Sequence, residues 1–415
     1  MRQVYFDNSA TTPVDTEVAK VIMEYMTDKF GNPSSVHGFG RIARKAVDEA
    51  REKVAMLLNA NANEIFFTSG GTESDNLALK GVAYANKKKG NHIITSAIEH
   101  HAILHTCEQL ETEGYNVTYL PVDEFGMIRM DDLQQAITDQ TILISIMFAN
   151  NEVGTIQPMK EIGQLCRERG IYFHTDAVQA VGNIPIDVKE LNIDLLTLSA
   201  HKFNGPKGIG ALYIRRGVRV KAIQHGGGHE RNMRAGTENV PGIVGLGKAA
   251  EIARRDMADK TKRLTVLRNK LIQNVMETIP HTKLNGHPDM RMPGNANFSF
   301  LFLEGESLLL NLDLKGIAAS SGSACTSGSL DPSHVLLAMG LTHEVAHGSL
   351  RVSLGRYNTE DEVDYFLAEL PVIVERLRQM SPLWGDDDGP KPLNPCSSCH
   401  HNDHNDHHHH HHDEQ

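Results

Sequence analysis

Two short apolar runs, residues 171–175 and 194–199, constrain this chain more than any other feature, because each ends on residues with chemistry to offer. The first runs into Asp176, with Gln179 one helical turn further on. The second delivers Ala200, His201 and Lys202 ahead of a Gly-rich turn at 204–210. Short apolar runs bounded by turn formers read as strands. The same unit recurs upstream: strands at 64–68, 92–96, 117–122 and 141–149, with helical patterns at 72–88, 101–113 and 160–169. Alternation at this spacing predicts a mostly parallel sheet covered by helices on both faces. Ligands on such sheets gather at the carboxyl ends of the strands, where Asp176 and Lys202 fall.

A lysine is ordinarily a solvated surface residue, and Asp176 taken alone could be a helix N-cap. An acid and a lysine at the ends of two strands, with a polar pair between, suit a cofactor with three needs. These are an amine for a Schiff base, a carboxylate for a pyridinium proton and donors for a phosphate, which together describe pyridoxal 5′-phosphate. Ser-Gly-Gly-Thr at 69–72 follows a strand and opens a helix. Exposed N–H groups and the positive end of the helix dipole favour an anion there, although a glycine turn before a helix is by itself only a helix start. His100, in Ile-Glu-His-His (98–101), either stacks on a ring and moves protons or is a structural histidine.

Cys325 lies in Ala-Ala-Ser-Ser-Gly-Ser-Ala-Cys-Thr-Ser-Gly-Ser (318–329), a segment too polar for a core. A thiol in such surroundings is a candidate nucleophile, active as the thiolate. Cys107 and Cys166 sit within helical patterns and are assigned to packing. Five cysteines without a disulfide-like spacing agree with a reducing compartment. The N-terminus lacks the apolar core of a signal peptide and no stretch reaches a membrane span, so a cytoplasmic protein is expected.

After residue 213 the pattern changes. A Gly-rich loop at 226–237 leads into a helical tract at 243–278, and 280–380 mixes short strands (296–302, 349–354) with helices (306–314, 359–380). Of the net charge of −11, −6 falls from Gly385 onward, leaving −5 for the rest. Nothing forms a basic patch suited to nucleic acid. Beyond Trp384 the composition of Asp, Gly, Pro, Asn and His reads as a disordered tail. Within it Cys396, Cys399 and His400, with His407–His412 beyond, either form an N/S site for zinc or a related metal or are simply solvated.

Three motifs, Ser-Ala-His-Lys-Phe-Asn-Gly-Pro-Lys-Gly (199–208), Ser-Ser-Gly-Ser-Ala-Cys-Thr-Ser (320–327) and Arg-Ala-Gly-Thr-Glu-Asn (234–239), resemble those of the cysteine desulfurases of the NifS and IscS kind. The likeness spans residues 4 to about 384. It implies an α/β fold, that of fold-type-I pyridoxal phosphate transferases: a large domain with a mostly parallel seven-stranded sheet, plus a smaller α+β domain. The expected division is 15–259 for the large domain, 1–14 with 260–384 for the small one, and 385–415 for the tail. By the same resemblance Lys202 is the Schiff-base lysine, Asp176 the pyridinium partner, Gln179 the contact to the ring hydroxyl and His100 the ring-stacking residue. Gly71, Thr72, Ser199 and His201 hold the phosphate, with Thr237 reaching across from the other subunit of a homodimer. Asn151 and Arg351 bind the substrate carboxylate, and Cys325 receives sulfur from L-cysteine and is a transient cluster ligand. An iron–sulfur scaffold protein is the implied acceptor. Two rivals stand beside this reading: another enzyme of the same fold (a selenocysteine lyase or an aminotransferase), and an iron–sulfur scaffold using Cys325, Cys396 and Cys399.

Overall fold

A computed structural model describes residues 2–321, 332–384 and 389. The chain opens with β1 (Val4–Tyr5), then α1 (Thr16–Thr27) and α2 (Gly38–Leu58). The alternating region follows: β2 (Ile65–Thr68), α3 (Gly71–Asn86), β3 (His92–Ser96), α4 (His101–Thr112), β4 (Asn116–Leu120), α5 (Met130–Ala136), β5 (Thr141–Ser145), α6 (Met159–Arg169), β6 (Tyr172–Asp176), β7 (Leu195–Ser199) and β8 (Gly210–Ile214). After these come α7 (Val240–Thr278), β9 (Thr282–Asn285), β10 (Asn295–Phe300), α8 (Gly305–Leu314), β11 (Ile317–Ala318), α9 (His334–Ala338), α10 (His343–His347), β12 (Ser349–Ser353) and α11 (Glu360–Gln379).

Seven strands form one sheet in the order β2-β8-β7-β6-β5-β3-β4. Only β8 runs antiparallel, to both β2 and β7; the other pairings are parallel. The expected mostly parallel seven-stranded sheet is therefore present. The strand period of two sends neighbouring residues to opposite faces. Ile144, Leu196 and Ala211 pack under α2 and the first half of α7, while Leu143, Leu195 and Leu212 pack against α3 and α4.

A second core gathers Phe6, Leu271, Phe298, Val352 and Phe366 around the antiparallel sheet β9-β10-β12. The N-terminal segment joins it through the parallel pair β1–β11 and the bridge from Asp7 to Ser353. α7 serves both cores: Met257 packs in the first and Leu264 in the second. Asn239 caps α7, its side chain accepting from the Gly242 N–H, and a Thr359–Glu362 capping box starts α11.

Some boundaries differ from those expected. β5 ends at Ser145, although Ile146 and Phe148 still donate to the His174 and Asp176 carbonyls of β6 and Ala149 bridges to Ile156 on the way to the loop holding Asn151. The long helix begins at Val240, three residues early. β8 follows the Gly-rich turn so closely that its five apolar-leaning residues do not stand out from it, and β1, β9 and β11 have two to four residues each. Among the described residues no helix is long and apolar enough to cross a membrane.

Candidate active site

The carboxyl ends of the parallel strands converge on a cavity of about 320 Å³. β6 ends on Asp176, and β7 ends on Ser199 before a short 3₁₀ turn that carries His201 and Lys202. His100 caps α4, its Nδ1 accepting from the Ala102 N–H at 3.1 Å. Gly71 and Thr72 open α3, whose start has no side-chain cap. Asn151 and Gln179 come from the loops after β5 and β6, and Arg351 reaches in from β12. All ten of these residues line the one cavity. Thr237 does not: it lines a separate cavity of about 210 Å³ with Ser69, Arg234 and Glu238. Cys325, Cys396, Cys399 and His400 lie outside the described residues.

Buried Asp176 accepts one backbone bond, from the Val178 N–H at 3.0 Å. Burial pushes its carboxyl up from the ordinary value, and His100, the Val178 N–H and Lys202 pull it back. Asp75, from α3, is buried beside it, and burial together with Asp176 raises Asp75 well above the usual range. Below them His174 bonds Ser145 at 2.8 Å and Thr197 at 3.0 Å through its two ring nitrogens. Burial lowers His174 to about 3, so its 3.7 Å approach to Asp75 is not an ion pair at neutral pH. Burial likewise lowers His100 and takes His201 to about 4, with Lys202 and Lys207 adding to the effect. Neutral His100, accepting at Nδ1, carries its proton on Nε2.

The Lys202 amine donates to the carbonyls of Ser9 at 2.5 Å and Ala10 at 2.8 Å. Arg351 donates from Nη1 to the Asn151 carbonyl at 3.1 Å and from Nη2 to Asp7 at 2.8 Å. Among the described residues its buried Nε has no partner. A buried charged donor left unpaired is costly, and Arg351 is one of the residues that line the cavity. Ser9, Ala10, Asp75 and Asp7 were not among the expected site residues. Ser9 and Ala10 act through backbone carbonyls, which side-chain chemistry does not reveal. Asp7 and Asp75 lie in an opening turn and a helix, where acids are commonplace.

Comparison with known proteins adds a second line of support. The class-V aminotransferase family, whose enzymes depend on pyridoxal phosphate, matches residues 4–366. A cysteine desulfurase IscS of Clostridium botulinum is 61% identical over 387 residues, which is 93% of this chain and 98% of that protein. A cysteine desulfurase IscS of Methanosarcina thermophila is also 61% identical, over 382 residues covering 92% and 94% of the two chains. Among solved structures, a NifS-like protein superposes with a TM-score of 0.85 at 42% identity, covering 91% of this chain and 100% of that one. The chain belongs to the class-V aminotransferase family, within its group of IscS- and NifS-type cysteine desulfurases.

Proposed function

We propose that this chain is a pyridoxal-phosphate-dependent cysteine desulfurase that converts L-cysteine to L-alanine, takes the sulfur onto Cys325 as a persulfide and passes it to an iron–sulfur scaffold protein. The observation that carries the reading is the single cavity in which Lys202, Asp176 and the uncapped start of α3 meet. The residues fit the cofactor. Asp176 is a buried carboxylate facing a cavity, able to hold a protonated ring nitrogen. Thr72, Ser199 and His201 surround a helix start ready for a phosphate. A Cβ at position 71 would come within 2.9 Å of Val178, so only glycine keeps that wall open.

When bound, the cofactor serves as an electron sink for charge developing at the substrate Cα. Lys202 would hold the cofactor through its amine and, when uncharged, could take the Cα proton at Nζ. His100 would hold the cofactor ring by stacking, and Gln179 would bind its hydroxyl. Arg351, with Asn151 alongside, orients the substrate carboxylate. Nε is the donor at hand, and bidentate capture through Nη2 requires Asp7 to give way. The Cys325 thiolate attacks the substrate sulfur, so an S–S bond forms as the C–S bond breaks. The carbon keeps the electron pair and is protonated to give alanine.

The division into 15–259 and 1–14 with 260–384 belongs to the same proposal, supported by the change of core along α7 between Met257 and Leu264. So does a homodimer: Met26, Phe30, Val36 and Phe39 lie exposed in one stretch, and Thr237 lines a cavity other than that of Lys202. A cytoplasmic site of action accords with sulfur transfer through free thiols. The Cys396, Cys399 and His400 ligand set is proposed to bind zinc or a related metal apart from catalysis. Deleting 386–415 is expected to remove titratable metal and leave turnover intact; unchanged metal content would reject it.

Cys325→Ser tests the reaction. The variant is expected to bind pyridoxal phosphate and cysteine as wild type does, yet to release neither persulfide nor stoichiometric alanine. Sulfur release at the wild-type rate would place the nucleophile elsewhere.

A further inference from the structure

Behind the Lys202 cavity, where the two cores meet, a second lysine has no role so far. Lys260 lies on α7 between Met257, the last residue of that helix buried in the first core, and Leu264, its first residue buried in the second. Its amine donates to the Gly182 carbonyl at 2.5 Å and to Asn183 Oδ1 at 3.0 Å. Thr261, one residue on, donates to the Asn183 carbonyl at 3.0 Å. Among the described residues no carboxylate pairs with Lys260. The charged groups acting on it are Arg356, Asp256 and Arg263; Arg356 and Asp256 pair with each other at 2.6 Å. A cation enclosed against neutral oxygens is costly to place, which makes its two contacts informative.

Those contacts lead to the cofactor site. Asn183 Nδ2 donates to the Gln179 carbonyl at 3.0 Å, and Gln179 Nε2 donates to the Ser9 carbonyl at 3.0 Å. On that same Ser9 carbonyl rests the amine of Lys202. The 179–183 turn has little slack: Gly182 has a φ of +75°, and a Cβ there would sit 2.6 Å from Phe203, the neighbour of Lys202. Lys260, Asn183, Gln179 and Lys202 also line one small cavity of about 50 Å³.

We propose that Lys260 is a positioning residue of the cofactor site: from the junction of the two cores it fixes the 179–183 turn, and through Gln179 and the Ser9 carbonyl it sets the place of Lys202. This rests on the pyridoxal phosphate reading above. Charge-assisted bonds are roughly twice as strong as neutral ones, so a lysine holds this turn more firmly than an amide could. Burial, with Arg356 adding to it and Asp256 opposing, lowers its amine to about 8. The grip therefore weakens as pH rises past that value.

The test uses the full chain loaded with pyridoxal phosphate and reads cofactor affinity and the pH midpoint of the visible absorption band. Lys260→Met keeps the stem and removes the donors. It is expected to weaken affinity about tenfold and to shift the midpoint, with Lys260→Arg returning affinity to within about threefold. Asn183→Ala breaks the relay one link further on and is expected to move both readouts the same way. The double variant should lose less than the sum of the two single losses, since both residues hold the one turn. Wild-type affinity and midpoint in Lys260→Met, a loss that Arg does not restore, or additive losses would each overturn the role. Should Lys260→Met not fold, an unchanged Asn183→Ala overturns it alone. If the wild-type chain took up no pyridoxal phosphate, the proposed function would fail, and this role with it.

Discussion

Two regions of buried acid lie within a few residues of the same strand ends, and they are built for different ends. Around Asp176 the carboxylate faces an open cavity, with His100 and Lys202 near enough to draw its pKa back down. Around Glu99, between β3 and α4, the carboxylate faces no cation among the described residues. Its Oε1 accepts from Ser96 at 2.6 Å and from the Met147 N–H at 3.0 Å, and among the described residues its Oε2 has no partner. Burial pushes Glu99 up to about 8. Burial raises both groups, and what separates them is whether a positive partner can arrive. Asp176 faces the cavity, where the proposed function puts such a partner, whereas Glu99 is a proton-holding part of the loop scaffold behind His100.

That contrast is open to attack by mutation, beginning where the effect is largest. Asp176→Asn keeps the shape and removes the charge. A carboxylate about 4 Å from a ring cation gains roughly 4 kcal/mol at an effective dielectric near 20, so turnover is expected to fall about a thousandfold with the melting temperature little changed. Turnover within threefold of wild type would put Asp176 in the same class as Glu99.

A middle-sized effect belongs to Asp7, which pairs with Arg351 Nη2, the group that the proposed function gives to the substrate carboxylate. Asp7→Asn leaves an oxygen acceptor without the charge. With a partly exposed pair contributing about 1 kcal/mol, KM for cysteine is expected to fall about fivefold and kcat to stay unchanged. A raised KM would show instead that Asp7 aids binding by orienting Arg351.

The smallest effect is expected at Glu99. Its carboxyl is raised from an ordinary value near 4.5 to about 8 in the fold, so the native state binds the extra proton between those limits. Stability from that proton is fully present below about 4.5 and is lost as pH rises through about 8. Glu99→Gln removes the titration. It is expected to raise the melting temperature by about 2 °C at pH 8.5 relative to wild type, to change it little at pH 5.5, and to leave turnover alone. A stabilisation independent of pH would contradict the assigned proton.

Asp176 and Lys202 were legible in the sequence because each follows an apolar run: Asp176 ends one and Lys202 comes three residues after another. The sheet was legible for the same reason, since its strands are continuous apolar segments of four to five residues. Groups that act through the backbone or through distant pairing left no such trace. The carbonyls of Ser9 and Ala10 reach Lys202 across about 190 residues of chain, and Asp7 reaches Arg351 across 344. β8 was hidden by the Gly-rich turn before it, and the short strands β1 and β11 exist only because they find each other. Lys260 reads from sequence as one more charge on a polar helix. Its meaning comes from the turn it touches.

The most direct measurement concerns where the cofactor is held, because Lys202 and Lys260 border one cavity. The full chain, loaded with pyridoxal phosphate, is treated with borohydride to fix the lysine linkage, digested and sequenced by mass spectrometry. The account predicts one stoichiometric pyridoxyl label on the peptide containing Lys202, absent after Lys202→Ala. A label of equal yield on Lys260, or one that persists in Lys202→Ala, would contradict it.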